Sequence, residues 1–245
     1  KDDGSFHLDQ SYFNYATGLT MTNKKFEKLF GQPVRKKEDE LLTQFHMDIA
    51  SSIQAVTEEI VIKLTKDIAK KYNLKNLCMA GGVALNCVAN GKVLANKTFE
   101  NIWVQPAAGD AGGSLGAALA YWYQELKHKR KINPKDSMEG SYLGPRFENS
   151  IIEKELVSLN ADFKKNSEEE LINILADELS RERTVGWFQG RMEFGPRALG
   201  ARSILADPRS EKIQKELNLK IKFRESFRPF APSILSEEVS DWFDI

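Results

Sequence analysis

Apolar residues recur at spacings of three and four from about Glu38 to Tyr72, at Leu42, Phe45, Ile49, Ile53, Val56, Ile60, Leu64 and Ile68. That period predicts a long helix with one buried face. The pattern then shortens. After the polar turn Asn73 to Asn76, Leu77-Cys78-Met79-Ala80 is a brief apolar run that stops at Gly81-Gly82, and a helical pattern resumes from about Ala84 to Leu94. The order strand, glycine turn, helix repeats at once, with Ile102 to Gln105 as strand, Pro106 to Gly113 as turn and Leu115 to about Lys127 as helix. Two such units in succession predict an α/β sheet that offers a ligand site at its strand ends. Upstream, Ser5 to Leu8 and Tyr12 to Tyr15 alternate aromatic and polar residues, as two strands of a hairpin would.

From Lys129 to Pro145 the chain turns basic and rich in turn formers, and apolar periodicity is lost. This places a first domain at 1–130, a linker at 131–145 and a second domain at 146–245. In the second, Ile151 to Leu159 reads as helix, Ser167-x-x-Glu170 is a capping box opening a helix to about Arg181, and Thr184 to Phe188 is a strand. Two later segments, Gly190 to Arg209 and Lys220 to Pro232, are crowded with Arg, Gly, Pro and Phe, and Glu237 to Phe243 is helix-like.

Composition narrows the classes. At 245 residues the chain has room for one large or two modest domains of about 150 residues, and no apolar run reaches the roughly 18 residues needed to span a bilayer. With 35 basic and 35 acidic residues there is no overall field for nucleic acid or anionic membrane, so an anion site must be a local cluster. Cys78 and Cys87 form no metal-ligand or disulfide framework and point to a reducing, cytoplasmic setting. The chain starts at Lys1 without a leader and stops within a helix-like stretch, which reads as an excerpt of a longer protein.

Three clusters could carry chemistry. Gly81-Gly82-Val83-Ala84-Leu85-Asn86 lets backbone approach an anion or the polar edge of a nucleotide, or else merely packs a helix start tightly. In Gly109-Asp110-Ala111-Gly112-Gly113, four glycines counting Gly116 surround one carboxylate; the backbone N–H groups suit contact with a phosphate, or Asp110 is held out to a metal ion, or Asp110 merely caps the helix. Arg191, Arg197, Arg202, Lys222, Arg224 and Arg228 are interleaved with Phe194-Gly195-Pro196 and Phe227-Arg228-Pro229-Phe230. Prolines there exclude a regular charged helix, so an anion pocket built on guanidinium forks is favoured over a solvated face or a single-strand nucleic-acid surface. His7, His46 and His128 lack metal-ligand spacing.

These motifs in this order, Met79 to Asn86, Gly109 to Gly112, Gly190 to Gly200 and Phe227 to Pro232, resemble the O-carbamoyltransferases of the nodulation-protein and antibiotic-tailoring group, over most of the chain from about Asp3 to Phe243. The resemblance implies the second half of an actin-like (ASKHA) ATPase-fold domain followed by a YrdC-like α/β domain. It implies that carbamoyl phosphate loses its phosphate in the second domain, and that the carbamate attacks the α-phosphate of ATP to give carbamoyladenylate and pyrophosphate. In the first domain a small-molecule hydroxyl acceptor then attacks the carbamoyl carbon and AMP leaves, beside a metal ion that is iron in the family. By position in the motifs, Asp110 corresponds to a metal ligand; Gly81, Gly82, Asn86, Gly109 and Gly112 to the adenylate-binding turns; and Arg197, Lys222 and Arg228 to phosphate-holding groups. The family's metal site also uses a His-x-x-x-His pair, which is absent here, so the excerpt is expected neither to hold metal tightly nor to complete the transfer alone. The competing class is a nucleotide-binding actin-like module without transfer activity. Transfer to tRNA would call for a basic face that the zero net charge does not supply.

Overall fold

A computed structural model describes residues 1–36 and 41–244. The chain forms two compact units, Lys1–Ala118 and Leu119–Ile245, divided within a helix.

In the first unit the expected hairpin does not form. Asp9 accepts a hydrogen bond from the Ser11 amide, which turns the chain into a short 3-10 segment, Gln10–Tyr12, and only a single antiparallel bridge, Phe13 to Thr22, follows. A side chain that captures a nearby amide competes directly with strand pairing. Helix α1 is Lys24–Phe30, capped by Asn23, and α2 is Gln44–Tyr72. The expected start of α2 near Glu38 lies outside the described residues.

The two strand-turn-helix units are present. Strands β1 (Asn76–Met79) and β2 (Asn101–Val104) pair in parallel, with Leu77 opposite Ile102 and Met79 opposite Val104. Helix α3 is Cys87–Ala95, entered through a 3-10 turn at Gly82–Leu85, and α4 is Asp110–Ala120, ending in a wider turn at Tyr121–Glu125. Both thiols are free. The core sits where α2, α3 and the strands meet: Val61, Leu77, Val93 and Phe99 are buried, with Ile62, Ala69, Met79 and Ile102 packed on them.

The helix face that α2 buries differs from the one its periodicity predicts. Ile53, Val56, Leu64 and Ile68 are exposed, whereas Glu58, Val61 and Thr65 are buried. The shift has a polar cause: Gln54 bonds Asn86, and Glu58 bonds Lys92, so α3 docks on the side of α2 that carries these partners.

The second unit also mixes helix and strand. Helices α5 (Asn149–Ser158) and α6 (Glu168–Ser180) precede strand β3 (Val185–Phe188), which pairs antiparallel with β4 (Arg202–Leu205). The capping box is formed as expected, Ser167 accepting from the Glu170 amide while Glu170 accepts from that of Ser167. A short helix α7 (Ile213–Glu216) widens into a π-type turn, Leu217–Ile221, and α8 is Val239–Trp242. Each unit therefore joins helices to a two-stranded sheet, the mixed α/β class. No helix among the described residues is long and apolar enough to cross a membrane.

Candidate functional site

Two constellations emerge, one in each unit. In the first, the parallel ladder continues past the strand ends as Gln105 N donates to Met79 O at 3.1 Å, and the two glycine turns are then joined, Gly81 N donating to Ala108 O at 2.7 Å. Gly81 stands at φ +101°, a conformation that side-chain-bearing residues rarely adopt. A Cβ on Gly81, Gly82 or Gly109 would meet open space, so tight packing is not why glycine occupies these positions. Gly112 differs, since a Cβ there would lie 2.1 Å from the Ala107 carbonyl oxygen; its smallness lets the first turn of α4 sit against the loop before it.

Asn86 caps α3, its Oδ1 accepting from Ala89 N at 3.1 Å. It also forms a reciprocal amide pair with Gln54: Asn86 Nδ2 donates to Gln54 Oε1 at 2.9 Å, and Gln54 Nε2 donates back at 3.2 Å. Its side chain thus fixes the Gly81–Asn86 turn against α2. Asp110 is the first residue of α4 and is exposed. Among the described residues its carboxylate takes part in no hydrogen bond or ion pair, so it does not serve as the helix's side-chain cap. Negative charge at this position is favoured by the helix dipole. No group of three or more His, Cys, Asp or Glu side chains that could hold a metal ion occurs among the described residues.

In the second unit, Glu193 is the organising residue. It is buried, and its Oε1 accepts from the amides of Leu199 and Ala201, each at 2.7 Å. Burial alone would raise its pKa; backbone amides outweigh that and hold the carboxyl below its usual range. The loop from Gly190 to Ala201 is drawn around this carboxylate, with Gly200 at φ +111° between the two donors. Arg197 projects from it, exposed and without a hydrogen-bond or ion-pair partner among the described residues.

Other arginines of the cluster are committed to structure. Arg202 donates to the carbonyls of Gln189, Gly190 and Ala201 and lies 3.4 Å over the Phe188 ring. Arg191 donates to Gly144 O, and Arg224 donates to Asn218 Oδ1 at 2.6 Å and packs on Phe230. Fully buried Asn218 donates in turn to the carbonyls of Ser226 and Arg228, and Gln214 reaches those of Phe227 and Arg228. Two side-chain amides thereby fix the segment that carries Arg228, whose Nε donates to Glu225 at 2.9 Å. Lys222 ends the π-type turn and is exposed, its side chain unpaired among the described residues. The structure gives Arg197 and Arg228 each a supporting frame, the Glu193 loop and the Asn218 and Gln214 amides, and gives the Lys222 side chain none among the described residues.

Sequence reasoning singled out the cations and glycines and missed the residues that hold them. Glu193 had a readable signal, as the single acid between Gly190 and Ala201 among several Arg and Gly residues. Gln54, Gln214 and Asn218 had none, because an amide with partners inside the protein looks like a solvated one until those partners are known.

The described residues thus present two glycine turns joined at the ends of parallel strands and an arginine-bearing loop wound on a buried carboxylate. A family model described as Carbamoyltransferase N-terminus matches residues 1–119, and one described as Carbamoyltransferase C-terminus matches 176–245. The chain belongs to the carbamoyltransferase family. It is 58% identical over 247 aligned residues to an uncharacterized protein of Synechocystis sp., covering all of this chain and 40% of that protein. It is 42% identical to the nodulation protein NolO of Bradyrhizobium diazoefficiens, over 83% of this chain and 36% of that one. With nodulation protein U of the same organism it shares 30% identity over 94% of this chain and 37% of that one. The chain thus spans about two fifths of the length of these relatives.

Proposed function

We propose that the gene product carrying this chain is an O-carbamoyltransferase that activates carbamoyl phosphate with ATP and passes the carbamoyl group to a hydroxyl of a small molecule. The first unit is read as the second half of an actin-like domain and the second as a YrdC-like domain. In the proposed sequence, water takes the phosphate from carbamoyl phosphate, and the released carbamate attacks the α-phosphate of ATP, forming carbamoyladenylate and expelling pyrophosphate. An acceptor hydroxyl then attacks the carbamoyl carbon, its proton is lost, and AMP leaves. Arg197, Lys222 and Arg228 hold the phosphates in the first step, while Gly81, Gly82, Asn86, Gly109 and Gly112 shape the turns that receive the adenylate in the second.

The observation that carries this reading is Arg197, unpaired and exposed on a loop whose backbone is fixed by buried Glu193. A cation carried on a fixed backbone, with no ion-pair partner among the described residues, suits a polyanionic reactant. Among the described residues Asp110 belongs to no group of three or more His, Cys, Asp or Glu side chains, so these residues do not by themselves fit the family's metal, and no step here runs through it.

The test is pyrophosphate release from ATP and carbamoyl phosphate by the intact gene product, without acceptor. Arg197→Ala is expected to lower kcat/KM for carbamoyl phosphate about a hundredfold, chiefly through KM, the scale of a lost charge-assisted bond to a bound phosphate. Lys222→Ala and Arg228→Ala should act alike, and Lys129→Ala, in the basic stretch 127–131, should have no effect. ATP binding without pyrophosphate release from the wild type would favour a nucleotide-binding module instead.

A further inference from the structure

The segment 136–145 lies outside both stretches matched to the carbamoyltransferase models, yet it is laced to the Gly190–Ala201 loop. Ser141 O accepts from Phe194 N at 2.7 Å, Gly144 N donates to Met192 O at 2.8 Å, and Met192 N donates to Pro145 O at 3.1 Å. Arg191 reaches Gly144 O at 2.9 Å, and the Tyr142 hydroxyl donates to Leu199 O at 2.6 Å. To make these contacts the chain runs through three successive residues at positive φ, Glu139, Gly140 and Ser141, at 48°, 63° and 74°. Two of these carry side chains, and such a run persists only where surrounding contacts overdetermine it. Asp136 supplies some of them, accepting from the amides of Met138 and Gly140.

Around Gly200 every neighbouring amide already has a partner inside the protein. Glu193 takes those of Leu199 and Ala201, and Ser203 Oγ takes that of Gly200. The Leu199 carbonyl is held from the other side by Tyr142 alone among the side-chain donors of the described residues. The Tyr142 ring also lines an open cavity of about 370 Å³, together with Gln189, Gly190, Arg191, Gly200 and Ala201. Arg197, two residues before Leu199, has no side-chain hydrogen bond or ion pair among the described residues to fix it. Its position is inherited from this turn.

We infer that Tyr142 is a positioning residue for the anion site of the second unit: its hydroxyl fixes the Leu199–Gly200 peptide, and through it the loop that presents Arg197 to a phosphate-bearing substrate. The inference rests on the function proposed above. Tyr142→Phe removes the hydroxyl and keeps the ring. In the intact gene product it is expected to raise the apparent KM for carbamoyl phosphate in pyrophosphate release about five- to tenfold, the scale of one lost hydrogen bond, with kcat within about twofold. Amide exchange at residues 199 and 201 should quicken by a similar factor while exchange in α6 stays as it was. Tyr142→Leu, which also removes the cavity wall, should enlarge the KM effect.

A purely structural tyrosine gives another pattern, a lower melting temperature and a smaller active fraction with KM unchanged, and that result overturns the inference. So does a change in KM without faster exchange at 199 and 201, or faster exchange without a change in KM. A wild type that releases no pyrophosphate sinks the proposed function and the inference together, whereas release that Tyr142→Phe leaves unaltered sinks the inference only.

Discussion

Glu193 ties the chemistry of one side chain to the behaviour of a loop. Its carboxylate is held below the usual range, so the hydrogen bonds it accepts contribute fully above the unfolded pKa of about 4.3 and are lost as pH falls through the lower native value. Glu193→Gln keeps the shape and removes the charge. It should cost about 2 kcal/mol at neutral pH, and the gap from wild type should begin to narrow as pH falls below about 4.3, where the unfolded chain takes up a proton first, and should close only below the lowered native value. Urea melts of both proteins across that range check it; a gap independent of pH would contradict the charge assignment. Gly112 offers a second test at this scale. Because a Cβ there would strike the Ala107 carbonyl, Gly112→Ala should destabilise by about 2 kcal/mol or more, whereas Gly113→Ala, facing open space on the same helix, should be neutral or gain up to about 1 kcal/mol. The glycines were legible in the sequence as a group. Which of them answers to a turn, which to close packing and which to neither was not, because that depends on what lies across from each Cα.

Among the elements, α2 and α3 are coupled through the Gln54–Asn86 pair behind the first glycine turn. Gln54→Ala and Asn86→Ala should each destabilise, Asn86→Ala by about 1 kcal/mol more because it also removes the α3 cap. The double variant should fall short of the sum by about 1 kcal/mol, measurable as a double-mutant cycle in denaturant. Strictly additive losses would mean that the amides do not interact. Elements with local signals were readable beforehand: the capping box of α6, and the strand-turn-helix grammar of β1 to α4. Elements decided by distant partners were not. Much of the α2 stripe chosen from its period, Ile53, Val56, Leu64 and Ile68, is exposed because Glu58 and Gln54 bind α3 on a neighbouring face, and the Ser5–Tyr15 hairpin gives way to an Asp9 turn. Strand β4 escaped notice because Arg202 opens it and the flanking Arg and Gly residues mask its alternation.

For the whole molecule, the proposed reading divides the work between two units, with Asp110 in the first and Arg197 in the second. The division makes a forecast that neither residue makes alone. If Asp110 serves the transfer step, as its place in the motif implies, Asp110→Ala in the intact gene product should still release pyrophosphate from ATP and carbamoyl phosphate, while transfer to an acceptor hydroxyl is lost; Arg197→Ala should lose both, because no adenylate is made to pass on. Asp110 forms no hydrogen bond or ion pair among the described residues, so its removal forfeits only a favourable interaction with the α4 dipole, about 0.3 to 1 kcal/mol. A loss of transfer can therefore be separated from unfolding by a melting curve on the same preparation. If Asp110 were only a favourable charge at a helix start, Asp110→Ala would melt slightly earlier and carbamoylate its acceptor at the normal rate. Equal loss of both half-reactions in Asp110→Ala, with the fold intact, would defeat the division itself and place the two steps in one site.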